Sequence, residues 1–81
     1  MKYKIELLKE AYNNRAIDLI VDKATEKGED YKALVNSGLI KELEMPYNAL
    51  PIRDKRGNLH QIKNVMITKK GIAELYESRI A

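Results

Sequence analysis

Apolar residues recur at spacings of three and four along the first twelve residues, and this spacing predicts an amphipathic helix. Lysine and glutamate fill most of its other positions. Asn13 and Asn14 then interrupt the stripe, because asparagine side chains compete for nearby backbone hydrogen bonds and favour helix ends. The apolar stripe of this first helix consists of Ile5, Leu7, Leu8, Ala11 and Tyr12.

The same periodicity returns after the asparagines and predicts a second helix from about Arg15. Gly28 would end this helix, since glycine readily adopts the left-handed conformation found at helix C-termini. One continuous helix that passes through Asn13 and Asn14 is an alternative that the spacing also allows. The stripe of the second segment consists of Ile17, Ile20, Val21 and Ala24.

A third, short helix is predicted after Gly28. Asp30 can cap it by accepting hydrogen bonds from the next turn, and Gly38 would stop it. Pro46 and Pro51 lack a backbone N–H, so the segment between them is predicted to be a loop or an edge strand. The buried stripe of the helix would be Tyr31, Leu34 and Val35, and a short extended piece would follow over Leu39, Ile40 and Leu43.

A β-hairpin is the clearest local signal. Residues 50–53 and 59–67 are predicted to pair as antiparallel strands around the turn Asp54–Asn58, which contains a glycine suited to a positive φ. The apolar residues thicken toward Ile67, so that end is predicted to pack on the core while the tip stays exposed. Thr68 would cap a last helix from about Lys69. Its stripe would be Ile72, Leu75, Tyr76 and Ile80.

Together these elements predict an α+β protein with three N-terminal helices, a hairpin and a C-terminal helix, all in one domain over 1–81. Three tyrosines on apolar stripes are predicted to fill the core with their hydroxyls at its rim: Tyr12, Tyr31 and Tyr76. The predicted core residues are Ile5, Leu8, Ile17, Ile20, Leu34, Leu39, Val65, Ile67, Ile72 and Leu75.

The composition of the chain restricts the class of protein and the kinds of site that it can contain. A chain of 81 residues, 44% hydrophobic and 33% charged, has the balance of a globular protein and room for one small core, so dimerisation is an option. The absence of cysteine excludes disulfides, thiolate zinc sites and thiol nucleophiles. No apolar run is long enough to cross a bilayer, and we expect a cytoplasmic protein.

The net charge of +3 comes from one segment. Residues 53–70 contain six lysines and arginines against one aspartate, whereas the segments before and after each carry a net charge of −1. Attraction to a polyanion would therefore concentrate at the hairpin, although a solvated basic turn would have the same composition.

Three segments resemble the winged-helix DNA-binding domains. Leu34–Ile40 resembles the end of a recognition helix and the strand it enters, Asp54–Gly57 resembles a basic wing tip, and Val65–Gly71 resembles the junction between strand and last helix. The match covers about residues 34–76. It implies a DNA-binding transcription regulator that could be a dimer. The implied nucleic-acid contacts are Arg53, Lys55, Arg56, Lys63, Lys69, Lys70, Lys32 and Asn36.

One departure from this family favours an alternative function. The predicted recognition helix starts with Glu29 and Asp30, which the phosphate backbone would repel, so the wing would supply most of the attraction to duplex DNA. The alternative is a protein–protein interaction module, a small accessory or inhibitory protein whose basic hairpin docks an acidic partner. Tyr47 is the best candidate for an interface residue, because it lies in a loop and is an aromatic that can anchor an interface.

Nothing in the sequence points to catalysis. Neither serine lies in a nucleophile motif, and the single histidine, His60, is most simply a partly exposed strand residue. Asp18 and Asp22 would share one helical face and could in principle bind a cation, but a solvated face is by far the simpler explanation. We expect no enzymatic activity, no cofactor and no metal.

Overall fold

The computed structural model describes residues 1–43 and 51–80, and over this range the chain forms three helices and four strands. The protein is therefore a small α+β protein with an antiparallel sheet, as predicted at the level of fold class. The helices are α1 (Lys4–Asn14), α2 (Glu26–Asn36) and α3 (Lys69–Ile80). The strands are β1 (Ala16–Ile20), β2 (Ile40–Glu42), β3 (Ile52–Arg53) and β4 (Leu59–Ile67).

The long strand β4 organises the sheet. β1 pairs antiparallel along one side of it, with Ile20 opposite His60. β3 also pairs with His60, through Ile52, and because one residue has one neighbour on each side, β3 lies on the opposite side of β4 from β1. β2 pairs with the far end of β4, where Ile40 is opposite Ile67. The sheet order is therefore β1–β4–β2. β3 lies on the same side of β4 as β2 but pairs with the opposite end of β4, next to the hairpin turn.

The first helix forms as predicted and ends at Asn14, but the predicted second helix is wrong. Arg15 adopts a left-handed conformation with φ 54°, and the chain then continues as β1, so the alternative of one continuous helix is also wrong. Ile17 and Leu19 are buried while Asp18 between them is exposed, which is the period of two typical of a strand. The predicted three N-terminal helices are thus two, with a strand between them.

α2 starts one turn earlier than predicted. Thr25 caps it, since its Oγ1 accepts a hydrogen bond from the Gly28 N–H at 3.0 Å, and Gly28 therefore lies inside the helix instead of ending one. The predicted cap, Asp30, instead accepts from the Tyr3 N–H at 2.9 Å and ties the start of α1 to α2. The predicted stop at Gly38 is confirmed by its φ of 77°.

The hairpin and the last helix are confirmed. The Asp54 N–H donates to the Asn58 carbonyl at 2.9 Å and closes the turn, and Gly57 has φ 84°. Thr68 caps α3 by accepting from the Gly71 N–H at 3.0 Å. The predicted first strand began at residue 50, which lies outside the described residues, and β3 is described from Ile52.

The three helices cover one face of the sheet, on which the core lies. Of the ten predicted core residues, six are buried, whereas Ile5, Ile20, Ile67 and Ile72 are half-buried. Within residues 1–43 and 51–80, no helix is long and apolar enough to cross a membrane. The buried core consists of Leu7, Leu8, Ala11, Ile17, Leu19, Tyr31, Leu34, Leu39, Ile40, Val65 and Leu75.

Two of the three tyrosines predicted for the core are not in it. Tyr12 and Tyr76 are 55% and 59% exposed. On α1 the buried positions are Leu8 and Ala11, which leaves Tyr12 at the side of the stripe; on α3 Leu75 is buried and Tyr76 beside it is exposed. Only Tyr31 is buried as predicted.

Candidate nucleic-acid interface

The turn at the tip of the hairpin carries cationic side chains and is held by hydrogen bonds from side chains to its backbone. Asp54 Oδ1 accepts hydrogen bonds from the backbone N–H groups of Arg56 at 2.8 Å and Asn58 at 2.9 Å. Arg53 Nη1 donates to a carbonyl oxygen of the same turn at 2.7 Å. The side chains of Lys55 and Arg56 are exposed, so the tip holds the three predicted cations Arg53, Lys55 and Arg56 together on a fixed backbone.

His60 lies between two carboxylates on the sheet face opposite the helices. Its Nε2 is 2.6 Å from Asp54 Oδ2, and its Nδ1 is 3.1 Å from Asp18 Oδ1. A carboxylate oxygen only accepts, so both contacts are hydrogen bonds only when both ring nitrogens carry a proton. These three side chains, which we call the His60 clasp, join β1 to the hairpin turn.

The clasp shifts the acidity of its members. The hydrogen bond to Asp54, followed by the one to Asp18, raises the pKa of His60 above its usual 6.5. The hydrogen bond from His60, with those from the turn backbone, lowers the pKa of Asp54 from 3.8 to about 2. Within the described residues, no group of three or more histidine, aspartate or glutamate side chains has an arrangement that could hold a metal ion.

Raising the pH from about 6 to about 9 is expected to destabilise the protein. A group whose pKa is raised by folding stabilises the fold below its unfolded pKa, and this contribution is lost as the pH rises through the folded pKa. The urea midpoint of the wild type should therefore fall over this range, and that of His60→Gln should fall less. A wild-type midpoint that is constant above pH 6.5 would contradict the clasp.

On the acid side, the stabilising contribution of Asp54 is present above pH 3.8 and is lost as the pH falls toward about 2.

A groove of about 290 Å³ lies between α2 and the strands below it. Three lysines from three parts of the chain line it: Lys23 precedes α2, Lys32 lies on α2, and Lys63 lies on β4. In the described residues none of these ammonium groups has a carboxylate within salt-bridge distance. Glu29 and Glu42 are the carboxylates in the lining. We call this site the lysine groove.

One of the two carboxylates of the lysine groove is engaged. The Tyr31 hydroxyl donates to Glu42 Oε1 at 2.6 Å and connects α2 to β2. Burial, then the hydrogen bond to Glu42 and its negative charge, raise the pKa of Tyr31 far above its usual value of 10. The hydroxyl therefore remains a donor, and it holds the Glu42 carboxylate against the helix.

The other predicted contacts lie elsewhere. Lys69 and Lys70 begin α3, beyond the end of β4 opposite the hairpin tip, and nine strand residues separate these ends by roughly 27 Å. Lys70 Nζ donates to the Ser37 carbonyl at 3.2 Å. Asn36 is the last residue of α2, at the same end. Tyr47 lies outside the described residues. The structure thus divides the predicted basic site into two groups.

Neither Lys23 in the groove nor the carboxylates around His60 were predicted from the sequence. Both follow from β1, which was predicted as helix. Once β1 is paired with β4, its register places Asp18 opposite Ile62, two residues along the strand from the Ile20–His60 pair, so Asp18 and His60 share one face of the sheet. The alternation of Ile17, Asp18 and Leu19 was the available signal.

Comparison with known proteins finds no matching family model, no matching relative and no matching solved structure. The function proposed below therefore depends on the geometry of this chain.

Proposed function

We propose that this protein binds nucleic acid through the phosphate backbone, with the lysine groove and the hairpin tip as its contact surface. The observation that carries this proposal is the convergence of Lys23, Lys32 and Lys63 on one groove, without salt-bridge partners among the described residues. Three ammonium groups face the two carboxylates of Glu29 and Glu42 in this lining, so the groove has a net positive charge, which a polyanion would neutralise.

The chemistry of the surface favours backbone contacts over the reading of bases. Each lysine or arginine that neutralises a phosphate releases a counterion, and this term supplies affinity without regard to sequence. The exposed positions of α2 include Glu26 and Glu29 in its first half, and these carboxylates would oppose entry of the helix into a groove of the duplex. We therefore propose binding with little sequence preference.

The order of elements supports a winged-helix-like arrangement. α2 is followed directly by β2, the hairpin of β3 and β4, and α3, which resembles a winged helix that has one helix fewer before the wing. In such an arrangement the space between helix and hairpin is a natural place for a phosphate backbone. The lysine groove occupies part of this space.

Substitution of the three groove lysines should abolish most of the binding. In the variant Lys23→Gln, Lys32→Gln, Lys63→Gln, the log–log slope of affinity for a labelled duplex against salt should become less steep by about 2.7, because each phosphate contact contributes about 0.9. Affinity at low salt should fall at least about a hundredfold. Fluorescence anisotropy measures both quantities.

The matched control removes the same charge elsewhere. Lys9, Lys41 and Lys69 are exposed and lie outside the lysine groove, so Lys9→Gln, Lys41→Gln, Lys69→Gln should retain a steep slope. Equal losses in the two triple variants would show that only net charge matters, and would exclude the groove as the contact site.

A second candidate is a protein-interaction module whose basic hairpin docks an acidic partner. The exposed carboxylates of Glu26 and Glu29 favour it, because they weaken attraction to nucleic acid but not to a protein surface of mixed charge. Wild-type protein that fails to bind duplex DNA at low salt, yet binds a polyglutamate peptide through the tip, would replace the first proposal with this one.

A further inference from the structure

β1 is an edge strand with one side unpaired. Among the described residues it pairs only with β4, and the Val21 N–H just beyond it donates to the Leu59 carbonyl at 2.9 Å. Hydrogen-bonded and non-hydrogen-bonded residues alternate in an antiparallel pair, so the backbone N–H and C=O groups of Asp18 and Ile20 point away from β4. No hydrogen bond joins these four groups to another described residue.

A groove of about 390 Å³ lies beside this free edge. Its lining includes Asp18 and Ile20 of β1, Tyr3, and Glu26 in the first turn of α2. The unpaired backbone groups are therefore next to open space and not beneath a helix. An extended chain placed there would find the hydrogen-bonding partners that a strand requires.

The side chains around the edge favour a basic occupant. Successive side chains of a strand point to opposite faces of a sheet, so an added strand would place some beside Asp18 and others beside Glu26. Both of these residues are exposed. The one ammonium in the lining, that of Lys27, is held by Glu10 Oε1 at 3.2 Å. Asp18 Oδ1 contacts His60, but the clasp has two carboxylates for one imidazole, so it still favours a cation. Carboxylates thus flank the edge on both faces.

The same charges argue against a second copy of this chain as the occupant. Antiparallel pairing of two β1 strands centred on Asp18 would place the two Asp18 carboxylates directly opposite each other. Like charges at such cross-strand positions destabilise the pairing.

We propose that the free edge of β1 accepts an extended, basic peptide segment of a partner protein as an added strand. Main-chain hydrogen bonds to Asp18 and Ile20 hold the segment, and lysine or arginine side chains on its two faces meet Asp18 and Glu26. The groove at this edge shares Leu19, Ile20 and Thr25 with the lysine groove, but none of the three groove lysines lines it. The added strand does not depend on the nucleic-acid proposal.

Amide hydrogen exchange followed by NMR tests the added strand directly. The probe is a peptide of about eight residues that alternates threonine and valine with lysines on both faces. In the free protein the amides of Ile17 and Leu19 should be protected by β4, while those of Asp18 and Ile20 exchange rapidly. Saturating peptide should protect Asp18 and Ile20. The same peptide with glutamate in place of lysine should bind at least about tenfold more weakly.

Two further experiments test whether backbone hydrogen bonds hold the peptide. Ile20→Pro removes one outward N–H while leaving the bonds to β4, and it should weaken peptide binding about tenfold relative to Ile20→Ala. A probe peptide N-methylated at alternate residues, so that its pairing edge is blocked, should not bind the wild-type protein. This arm needs no change in the protein.

Three results would overturn the proposal. The first is no binding of the lysine peptide at concentrations up to about 1 mM. The second is binding that leaves the Asp18 and Ile20 amides unprotected or that does not distinguish lysine from glutamate. The third is protection of these amides by raising the concentration of the protein alone, since the occupant would then be a second copy.

Discussion

Replacement of Gly71 by alanine is expected to destabilise the protein by about 3 kcal/mol or more. A Cβ at this position would lie well inside van der Waals distance of the Leu39 carbonyl oxygen and 2.8 Å from Ile67 Cγ1. The first neighbour is backbone and cannot move aside, because the same carbonyl accepts from the Thr68 N–H and from Thr68 Oγ1, both at 3.1 Å. The start of α3 and the start of β2 therefore have to separate.

Gly28 provides a control with the same local geometry. Each glycine is the third residue of its helix and donates its N–H to a capping threonine at 3.0 Å. A Cβ on Gly28, however, would have only the Thr25 Oγ1 at 3.0 Å as its close neighbour. Since alanine favours a helix over glycine by about 1 kcal/mol, Gly28→Ala should change the stability by no more than about this amount.

Urea denaturation of both variants measures the difference. The urea midpoint of Gly71→Ala should be much lower than that of the wild type. The slope of the unfolding free energy against urea should stay the same, because the surface exposed on unfolding does not change. Similar midpoints for the two variants would mean that α3 can shift away from Leu39 at little cost. This contact could not be predicted from the sequence. Leu39 and Gly71 are far apart along the chain, and only the pairing of β2 with β4 brings them together.

The elements that local residues determine were predictable. The asparagines end α1, Gly38 ends α2, the Asp54–Asn58 turn closes the hairpin, and Thr68 starts α3, each through contacts within a few residues. β1 was not predictable in this way. Its five residues pair with a strand some forty residues later, and in so short a window helical spacing and alternation overlap.

The same difference between local and long-range contacts explains which parts of the candidate site were predictable. The cations of the hairpin tip were predicted together because they are adjacent in sequence and lie on one turn. Lys63 and Lys32 were predicted as separate contacts, and only the packing of α2 over the sheet brings them to one groove with Lys23. Lys69 is close to Lys63 in sequence, yet the extended course of β4 carries it away from the tip.

Two isoleucines of β1 offer the most direct test of the sheet and its faces. Ile17 is fully buried against the helices, whereas Ile20 is half-buried and its neighbours Asp18 and Val21 are exposed. Ile17→Ala removes core contacts and leaves a cavity, so it should cost about 2–5 kcal/mol. A domain of this size has little stability in reserve, and the variant should be largely unfolded at 37 °C.

Ile20→Ala should cost about 1 kcal/mol or less, because its side chain lies on the face that the helices leave open and loses less contact with apolar neighbours. Helical spacing had assigned both residues to the same buried stripe, and that assignment predicts equal losses. Far-UV circular dichroism during thermal unfolding distinguishes the two outcomes. Equal destabilisation by Ile17→Ala and Ile20→Ala would mean that the outer face of the sheet is covered in the folded protein, and a small loss at Ile17 would exclude the packing of β1 against the helices.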